Sequence, residues 1–285
     1  MRGGGHSTTI RAARAGAPLI MGVVNATPDS FSDGGKFLDA KAAVAHALSL
    51  ADEGADILDI GGESTRPGAD EIPLEIELAR TIPVIEGIRE SGCEAAISID
   101  TRKPEIARAA VAAGAAIWND VTALTFAPDS LAVAAELGCD VVLMHAQGDP
   151  KTMQKDPHYT NVVEEVYAFL AGRIDAAVKA GVAEDRLIVD PGVGFGKTLD
   201  HNLALLAGLD RFTALGRPVL LGASRKRFIA ALDCNVPVSD RLGGSLAAAI
   251  AGAARGASIL RVHDVAATRQ ALAVTAAIEN PDLRR

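Results

Sequence analysis

Polar side chains that could recognise a small molecule follow the ends of several short apolar runs. Asp100, Asn119 and Asp190 each come directly after such a run. A buried carboxylate must be satisfied by donors; an aspartate can accept two N–H groups, and an asparagine offers both a donor and an acceptor. Together the three side chains predict a pocket for a nitrogen heterocycle. The alternative for Asp100, and for Asp120, is capping of the helix that follows.

Two cations near the end of the chain and one amide near its start predict an anion site. Arg261 and His263 follow the last apolar run, and Asn25 follows the first. Cations bind phosphate through charge-assisted hydrogen bonds, and phosphate often binds near the last strands of a barrel. Asn25 and the acidic residues of its loop could also hold Mg²⁺, which needs few protein ligands beside substrate phosphate. The alternative for the two cations is a surface salt bridge with Asp264.

A third candidate is the basic run Arg225-Lys226-Arg227, which opens a helix after the seventh apolar run. A solvated helix face would account for Arg225 and Arg227, whereas Lys226 comes in the turn that follows a buried strand and is a candidate site residue. The nearby glycine-rich run 190–197 lacks the spacing of a phosphate-binding loop and the dinucleotide fingerprint. We therefore do not predict nucleotide binding there.

These residues need a frame that brings strand ends together. Short apolar runs alternate with segments of helical apolar spacing along the chain and give eight strand–helix units. Near-continuous apolar strands indicate a parallel sheet buried on both faces, and eight such units fit a single-domain α/β fold, the TIM (β/α)8 barrel. An open doubly wound sheet is the alternative, but it would be unusual with eight regular units and no second domain. In a barrel, the C-terminal strand ends carry the active site.

Composition excludes several classes of protein. The 285 residues are 49% hydrophobic with a net charge of −8, which argues against nucleic-acid binding, since that favours a basic patch. The three cysteines stand far apart and predict neither a zinc site nor a disulfide framework, so a reduced cytoplasm is the expected setting. No apolar run approaches the length of a membrane span. We expect residues 1–16 to form a flexible tail and residues 17–285 to form the barrel.

Seven loop motifs, in order along the chain, together resemble the bacterial dihydropteroate synthase family. The resemblance covers about residues 18–280 and is specific because it combines several motifs. They are residues 25–35 (NATPDSFSDGG), 61–68 (GGESTRPG), 98–101 (SIDT), 117–120 (IWND), 190–197 (DPGVGFGK), 224–226 (SRK) and 261–264 (RVHD).

The resemblance implies a homodimeric TIM-barrel transferase of folate biosynthesis in the cytoplasm. Members of the family join 6-hydroxymethyl-7,8-dihydropterin diphosphate to 4-aminobenzoate, releasing pyrophosphate and forming 7,8-dihydropteroate. It also implies Mg²⁺ as the cofactor and sulfonamides as competitive inhibitors. The expected displacement is dissociative: pyrophosphate leaves, the charge of Asp100 stabilises the cationic pterin methylene, and the aminobenzoate nitrogen attacks.

The resemblance further implies roles for individual residues. The catalytic residues are Asp100, Lys226, Asn25 and Arg66. The pterin contacts are Asp100, Ile117, Asn119, Met144, Asp190 and Lys226. The diphosphate contacts are Asn25, Thr65, Arg261 and His263, with the metal at Asn25. The 4-aminobenzoate contacts are Thr65, Arg66, Pro67, Phe195 and Arg227, the last of which stands where many members have serine.

Two other functions remain open at this point. A pterin-barrel methyltransferase, which moves a methyl group from a reduced folate to a corrinoid, shares the fold but needs no anion site at Arg261 and His263. A catalytically silent homologue that only binds pterin is the second, and the intact loop motifs argue against it. A pyrophosphate-release assay with both substrates separates the three functions.

Overall fold

The computed structural model describes residues 17–26, 36–64, 69–148 and 152–279. Within them, eight parallel strands close into a barrel in the order of the sequence, which confirms the predicted (β/α)8 fold. The expected tail, residues 1–16, lies outside the described residues. The strands are β1 (Leu19–Asn25), β2 (Ile57–Gly61), β3 (Ala96–Asp100), β4 (Ile117–Asp120), β5 (Asp140–Met144), β6 (Leu187–Asp190), β7 (Val219–Leu221) and β8 (Ala257–Val262).

Helices surround the barrel. Local sequence sets their ends: Pro104 occupies the first turn of its helix, and Gly114 ends it in the left-handed region at φ 117°. No helix among the described residues is long and apolar enough to cross a membrane. The helices are α1 (Lys36–Asp52), α2 (Leu74–Glu90), α3 (Pro104–Ala113), α4 (Ser130–Leu137), α5 (Val162–Lys179), α6 (Leu199–Ala207), α7 (Asp210–Thr213), α8 (Arg227–Leu232), α9 (Leu242–Ala254) and α10 (Val265–Glu279).

The first and last strands meet to close the barrel. Met21 of β1 is in register with Ile57 of β2 on one side and with Arg261 of β8 on the other. The closure places the end of β1, with Asn25, beside the end of β8. The strand ends that the anion-site prediction requires are therefore neighbours.

An apolar layer fills the inside of the barrel. Each strand contributes one side chain to it, and these pack together as a cluster separate from the main core between sheet and helices. Alternate residues of a strand face the same side, so the residues two positions later form a second, largely polar layer above the first. The apolar layer is Met21, Ile57, Ala96, Ile117, Val142, Ile188, Leu220 and Ile259. The second layer includes Asp59, Ser98, Asn119, Met144, Asp190 and Arg261. We call these side chains the polar layer and count Asp100 with them, because it lies two residues after Ser98 on the same face of β3.

Candidate active site

Arg261 joins two carboxylates across the polar layer. Its Nε donates to Asp59 Oδ2 at 2.6 Å, and its Nη2 donates to Asp100 Oδ2 at 2.7 Å. Burial alone would lower the pKa of Arg261, but the two carboxylates raise it above its ordinary value. The guanidinium is thus permanently charged, and the group of three carries one net negative charge when both carboxylates are ionised. The alternative pairing of Arg261 with Asp264 is wrong, because Asp264 pairs with Arg225.

The sequence reasoning missed Asp59. This side chain is fully buried in β2, and Asn119 Nδ2 also donates to it, at 3.2 Å to Oδ2. A signal was present, since a single carboxylate interrupts the apolar run 57–60 and a buried carboxylate needs partners. Asp59 thereby fixes the orientation of the Asn119 amide.

Asp100 keeps one acceptor for a ligand. Its Oδ1 is buried and has no hydrogen-bond partner among the residues described, while its Oδ2 accepts from Arg261. Burial raises the pKa of Asp100 to about 7, with Arg261 opposing and Asp59 adding to the rise. The capping alternative for Asp100 is therefore wrong. Asp120 does bind backbone, accepting from the N–H groups of Thr122 and Leu124 at 2.7 and 2.8 Å, but these belong to the turn after β4 and not to a helix.

The structure brings Asp190, Lys226 and Phe195 together. Asp190 Oδ1 accepts from the Gly192 N–H at 2.7 Å, and burial raises the pKa of Asp190 while Lys226 opposes the rise. Lys226 Nζ donates to the Val193 carbonyl and lies 4.6 Å from the centre of the Phe195 ring. Burial lowers the pKa of Lys226 to about 8, against the attraction of Asp190. A cation, a carboxylate and an aromatic face are thus available at one place in the barrel mouth.

Side chains from outside the loop 191–196 hold its backbone. Four successive carbonyls each accept a hydrogen bond from a different side chain, so this glycine-rich loop is fixed by its carbonyls and does not resemble a phosphate-binding loop of free N–H groups. The pairs are Val193 with Lys226, Gly194 with Gln154 (2.8 Å), Phe195 with Lys197 (3.0 Å) and Gly196 with Tyr159 (2.9 Å).

Lys197 and His145 form a buried pair that was given no role from the sequence. Lys197 Nζ lies 3.0 Å from His145 Nδ1. Burial, followed by the charge of Lys197, lowers the pKa of His145 to about 3, and burial lowers the pKa of Lys197 to about 7. The neutral imidazole of His145 can accept a hydrogen bond from Lys197 Nζ through its Nδ1. The position of His145 directly after β5 was the available signal.

The predicted diphosphate residues lie at the closure of the barrel. Asn25 ends β1 in register with Gly61, and His263 Nδ1 lies 3.0 Å from Ser224 Oγ. Arg261 uses its Nε and one N–H of Nη2 on the two carboxylates, and the other N–H groups of its guanidinium are the ones that could bind an anion. No group of three or more His, Cys, Asp or Glu side chains is placed for a metal within the described ranges. Asn25 offers one amide oxygen. It suits Mg²⁺ only if water and phosphate supply most of the metal's other ligands.

The remaining predicted residues fall in three places. Ile117 is fully buried in the apolar layer, and Met144, 4% exposed, is in register with Asp190. Phe195 is partly buried and lines a cavity of about 690 Å³, whereas Arg227 is exposed at the start of α8. Thr65, Arg66 and Pro67 lie outside the described residues.

The sequence of the chain is similar to those of known pterin-binding proteins, in agreement with the barrel and its polar layer. The sequence profile of a family described as pterin binding enzyme matches residues 21–263. The dihydropteroate synthase of Escherichia coli (strain K12) is 49% identical over 260 residues, which make up 91% of this chain and 91% of that protein.

Solved structures show the same similarity. The Xanthomonas albilineans dihydropteroate synthase with 4-aminobenzoic acid is 53% identical with a TM-score of 0.87, covering 93% of this chain and 94% of that one. A structure of that enzyme with 7,8-dihydropteroate has a TM-score of 0.83 at 50% identity, with the same coverage. The Yersinia pestis dihydropteroate synthase in a sulfonamide drug complex has a TM-score of 0.87 at 42% identity, covering 92% and 94%.

The family resemblance seen in the sequence motifs is confirmed by identities near one half over nine-tenths of the chain. A closed barrel, a polar layer above an apolar floor and the matching profile all lead to one assignment. The chain belongs to the pterin-binding enzyme family and, within it, to the dihydropteroate synthases.

Proposed function

We propose that the chain joins 6-hydroxymethyl-7,8-dihydropterin diphosphate to 4-aminobenzoate, releasing pyrophosphate and forming 7,8-dihydropteroate. The observation that carries this proposal is the buried Oδ1 of Asp100, which lacks a partner among the described side chains in the polar layer. A buried acceptor of this kind demands a donor from the ligand, and the edge of a pterin supplies N–H donors. The membership of the chain in the dihydropteroate synthases supports the same reaction.

The polar layer is suited to hold the pterin. Asp100 and Asp190 offer carboxylate oxygens to ring N–H groups, and Asn119 offers its amide oxygen because its N–H group is taken by Asp59. Lys226 offers an N–H to a ring carbonyl. The buried apolar layer beneath lowers the local dielectric constant, which strengthens each of these hydrogen bonds.

The charge of the polar layer favours the proposed displacement. The C–O bond between the pterin methylene and the diphosphate breaks, and pyrophosphate leaves with the electron pair. The net negative charge of Asp59, Asp100 and Arg261 stabilises the methylene cation. The aminobenzoate nitrogen then forms the C–N bond and loses one proton.

Asn25, Arg261 and His263 form the proposed diphosphate site. Asn25 would hold Mg²⁺, which when bound supplies charge neutralisation to the leaving group. On the other side of the reacting carbon, Phe195 and the cavity it lines form the proposed 4-aminobenzoate site, with Thr65, Arg66, Pro67 and Arg227 as further contacts.

We further propose that the protein is a homodimer and that sulfonamides compete with 4-aminobenzoate. The sulfonamide complex of the Yersinia pestis relative supports the second point. Two apolar side chains exposed one turn apart on α10, Val274 and Ile278, support the first. A reducing cytoplasm is kept as the expected setting, in keeping with the three free cysteines.

Release of pyrophosphate with both substrates present tests the function. We expect release only when pterin diphosphate, 4-aminobenzoate and Mg²⁺ are together, with stoichiometric formation of dihydropteroate. Pterin binding without pyrophosphate release would indicate a silent homologue. Methyl transfer to a corrinoid in place of pyrophosphate release would indicate the methyltransferase.

A further inference from the structure

Lys103 is a buried cation that uses all three of its protons. The residue is 5% exposed, and its Nζ donates to Glu63 Oε2 at 2.8 Å, Glu77 Oε2 at 2.8 Å and the Ile72 carbonyl at 2.7 Å. Burial would lower the pKa of Lys103, but Glu63 and Glu77 raise it above its ordinary value. The side chain is therefore charged and held in one geometry.

The partners of Lys103 lie at both ends of the segment that joins β2 to α2. We call these two ends, residues 62–64 and 69–73, the limbs of the segment. Glu63 stands two residues after β2, and Ile72 stands two residues before α2. The limbs are also tied to each other, because Glu63 Oε2 accepts from the Ile72 N–H at 3.1 Å. Arg102 Nε holds the other oxygen of Glu63 at 3.0 Å. The base of this segment is thus fixed by a compact set of charged hydrogen bonds.

Glu77 connects this set of bonds to the rigid part of the barrel. It is 1% exposed on α2, and its Oε1 accepts from Thr101 Oγ1 at 2.6 Å. The carbonyl of Thr101 in turn accepts from the indole N–H of Trp118 at 2.7 Å. Since Trp118 is fully buried in the main core, the position of Lys103 is set by the core and not by solvent-exposed groups.

The limbs fixed by Lys103 form one wall of the cavity that Phe195 lines. Glu63, Ser64 and Ala69 belong to that wall, and Phe195 belongs to the same cavity. Lys103 itself is not among the side chains lining it. Moving the limbs would change the shape of this cavity while leaving Asp100 and Asp190, inside the barrel, in place.

We propose that Lys103 is a positioning residue for 4-aminobenzoate: it holds the β2–α2 limbs at a set distance from Phe195 and so controls the second substrate without touching it. The proposal rests on the proposed function, which assigns this cavity to 4-aminobenzoate. A small displacement of a positioning group lowers rates and affinities strongly, because the reacting atoms must meet within a narrow range of geometry.

Lys103→Met and Glu77→Gln test the proposal as a pair. We expect the KM for 4-aminobenzoate to rise by about tenfold in Lys103→Met and by about threefold in Glu77→Gln. Because the charge of Glu77 helps to raise the pKa of Asp100 to about 7, pterin binding is measured at pH 8.5, where Asp100 is ionised in every variant. The calorimetric Kd for 6-hydroxymethylpterin should then stay within about twofold of wild type in both. Arg108→Met, which breaks the exposed pair with Glu136 on the same side of the barrel, is the matched control and should change neither quantity.

The direction of the two KM changes separates positioning from simple charge. Lys103→Met removes a positive charge and Glu77→Gln removes a negative one, so a purely electrostatic effect on the anionic substrate would move the two KM values in opposite directions. Positioning raises both. Opposite directions, an unchanged KM, or an equal loss of pterin affinity would each overturn the proposal.

Folding and function are controlled separately. Glu77→Gln keeps a hydrogen-bonding side chain of the same shape, so it carries the test by itself where Lys103→Met fails to fold, as judged by its melting temperature. If wild type forms no dihydropteroate from the two substrates, the proposed function fails. If wild type is active and Glu77→Gln has a normal KM, only the role of Lys103 fails.

Discussion

At the scale of single residues, Asp100 combines its proposed role in pterin binding with a charge that depends on pH. Burial raises its pKa to about 7, so the carboxylate is only partly ionised near neutrality. The folded protein therefore holds this proton up to a higher pH than the unfolded chain. The contribution of Asp100 to stability is present at low pH and is lost as the pH rises through about 7.

Turnover should show the opposite dependence. In the proposed displacement, ionised Asp100 stabilises the methylene cation. The pKa of the free protein governs kcat/KM, so we expect kcat/KM for the pterin diphosphate to rise with pH through about 7. Asp100→Asn should have a much lower kcat/KM and no such rise, because its amide does not ionise. Measuring kcat/KM from pH 5.5 to 8.5 in both proteins checks this, and the same rise in the variant would assign it to another group.

Lys226 gives a second prediction at this scale. Its Nζ lies between the Val193 carbonyl and the Phe195 ring, beside Asp190 and not in the apolar core. Lys226→Ala should reduce kcat/KM by about tenfold to a hundredfold, the cost of losing one hydrogen bond to a charged group in a buried site. Its urea midpoint should stay close to that of wild type.

The exposed Lys179 at the end of α5 supplies the control for that experiment. Lys179→Ala removes the same side chain from a solvated position and should leave both quantities unchanged. Near-normal kcat/KM in Lys226→Ala would place Lys226 outside the site.

At the scale of elements, strand periodicity was enough to predict the barrel but not the ends of its strands. The apolar run 115–118 predicts a fourth strand over those residues, whereas β4 is found at Ile117–Asp120. Apolar patterning ends a strand at the first polar residue. Here the strand continues because Asn119 and Asp120 pair with Val142 and Leu143 of β5. The Asn119 side chain bonds to Asp59, sixty residues earlier, and partners at these distances leave no local trace in the sequence.

The candidate site likewise contains some residues that the sequence predicts and others that it does not. Asp100, Asn119, Asp190 and Lys226 were predictable because each follows an apolar run and so reaches the barrel mouth. Asp59 was not predicted because it lies within a run, where its partners come from β4 and β8. The role of Lys103 depends on Glu63 and Glu77, on two different elements, and only the folded chain brings them to one ammonium group.

The loop after β6 gives a prediction at the element scale. Gly192 and Gly216 both have left-handed backbones, with φ of 68° and 67°. A Cβ on Gly192 would lie 1.8 Å from the His145 carbonyl oxygen, whereas a Cβ on Gly216 would meet nothing within 4 Å. Backbone strain alone costs about 1–2 kcal/mol, and a clash with backbone adds to it.

Gly216→Ala should therefore lower the free energy of unfolding by about 1 kcal/mol, and Gly192→Ala by about 3 kcal/mol or more. Urea titration of the two variants beside wild type measures the difference. Equal losses would show that the loop after β6 can shift away from β5, contrary to the four carbonyl contacts that hold it.

At the scale of the whole molecule, the exposed apolar pair on α10 bears on assembly. Val274 and Ile278 are 55% and 69% exposed. If they lie in the proposed homodimer interface, Val274→Glu/Ile278→Glu should shift the protein toward monomer in sedimentation equilibrium, because two carboxylates would be buried without partners. A double substitution at exposed Val178 and Lys179 of α5, also to Glu, serves as the control. A wild-type monomer at micromolar concentration would contradict the homodimer itself.

The two hydrogen bonds that Arg261 donates to Asp59 and Asp100 also determine when these carboxylates can be buried during synthesis of the chain. Arg261 lies 202 residues after Asp59 and 161 residues after Asp100. A ribosome adds about 5–20 residues per second, so the counter-charge appears roughly 10–40 s after Asp59 has been made. Until then, burying either carboxylate carries a large desolvation cost. We therefore expect Asp59 and Asp100 to stay exposed to water in the nascent chain. They can be buried beside Arg261 only when translation has nearly finished.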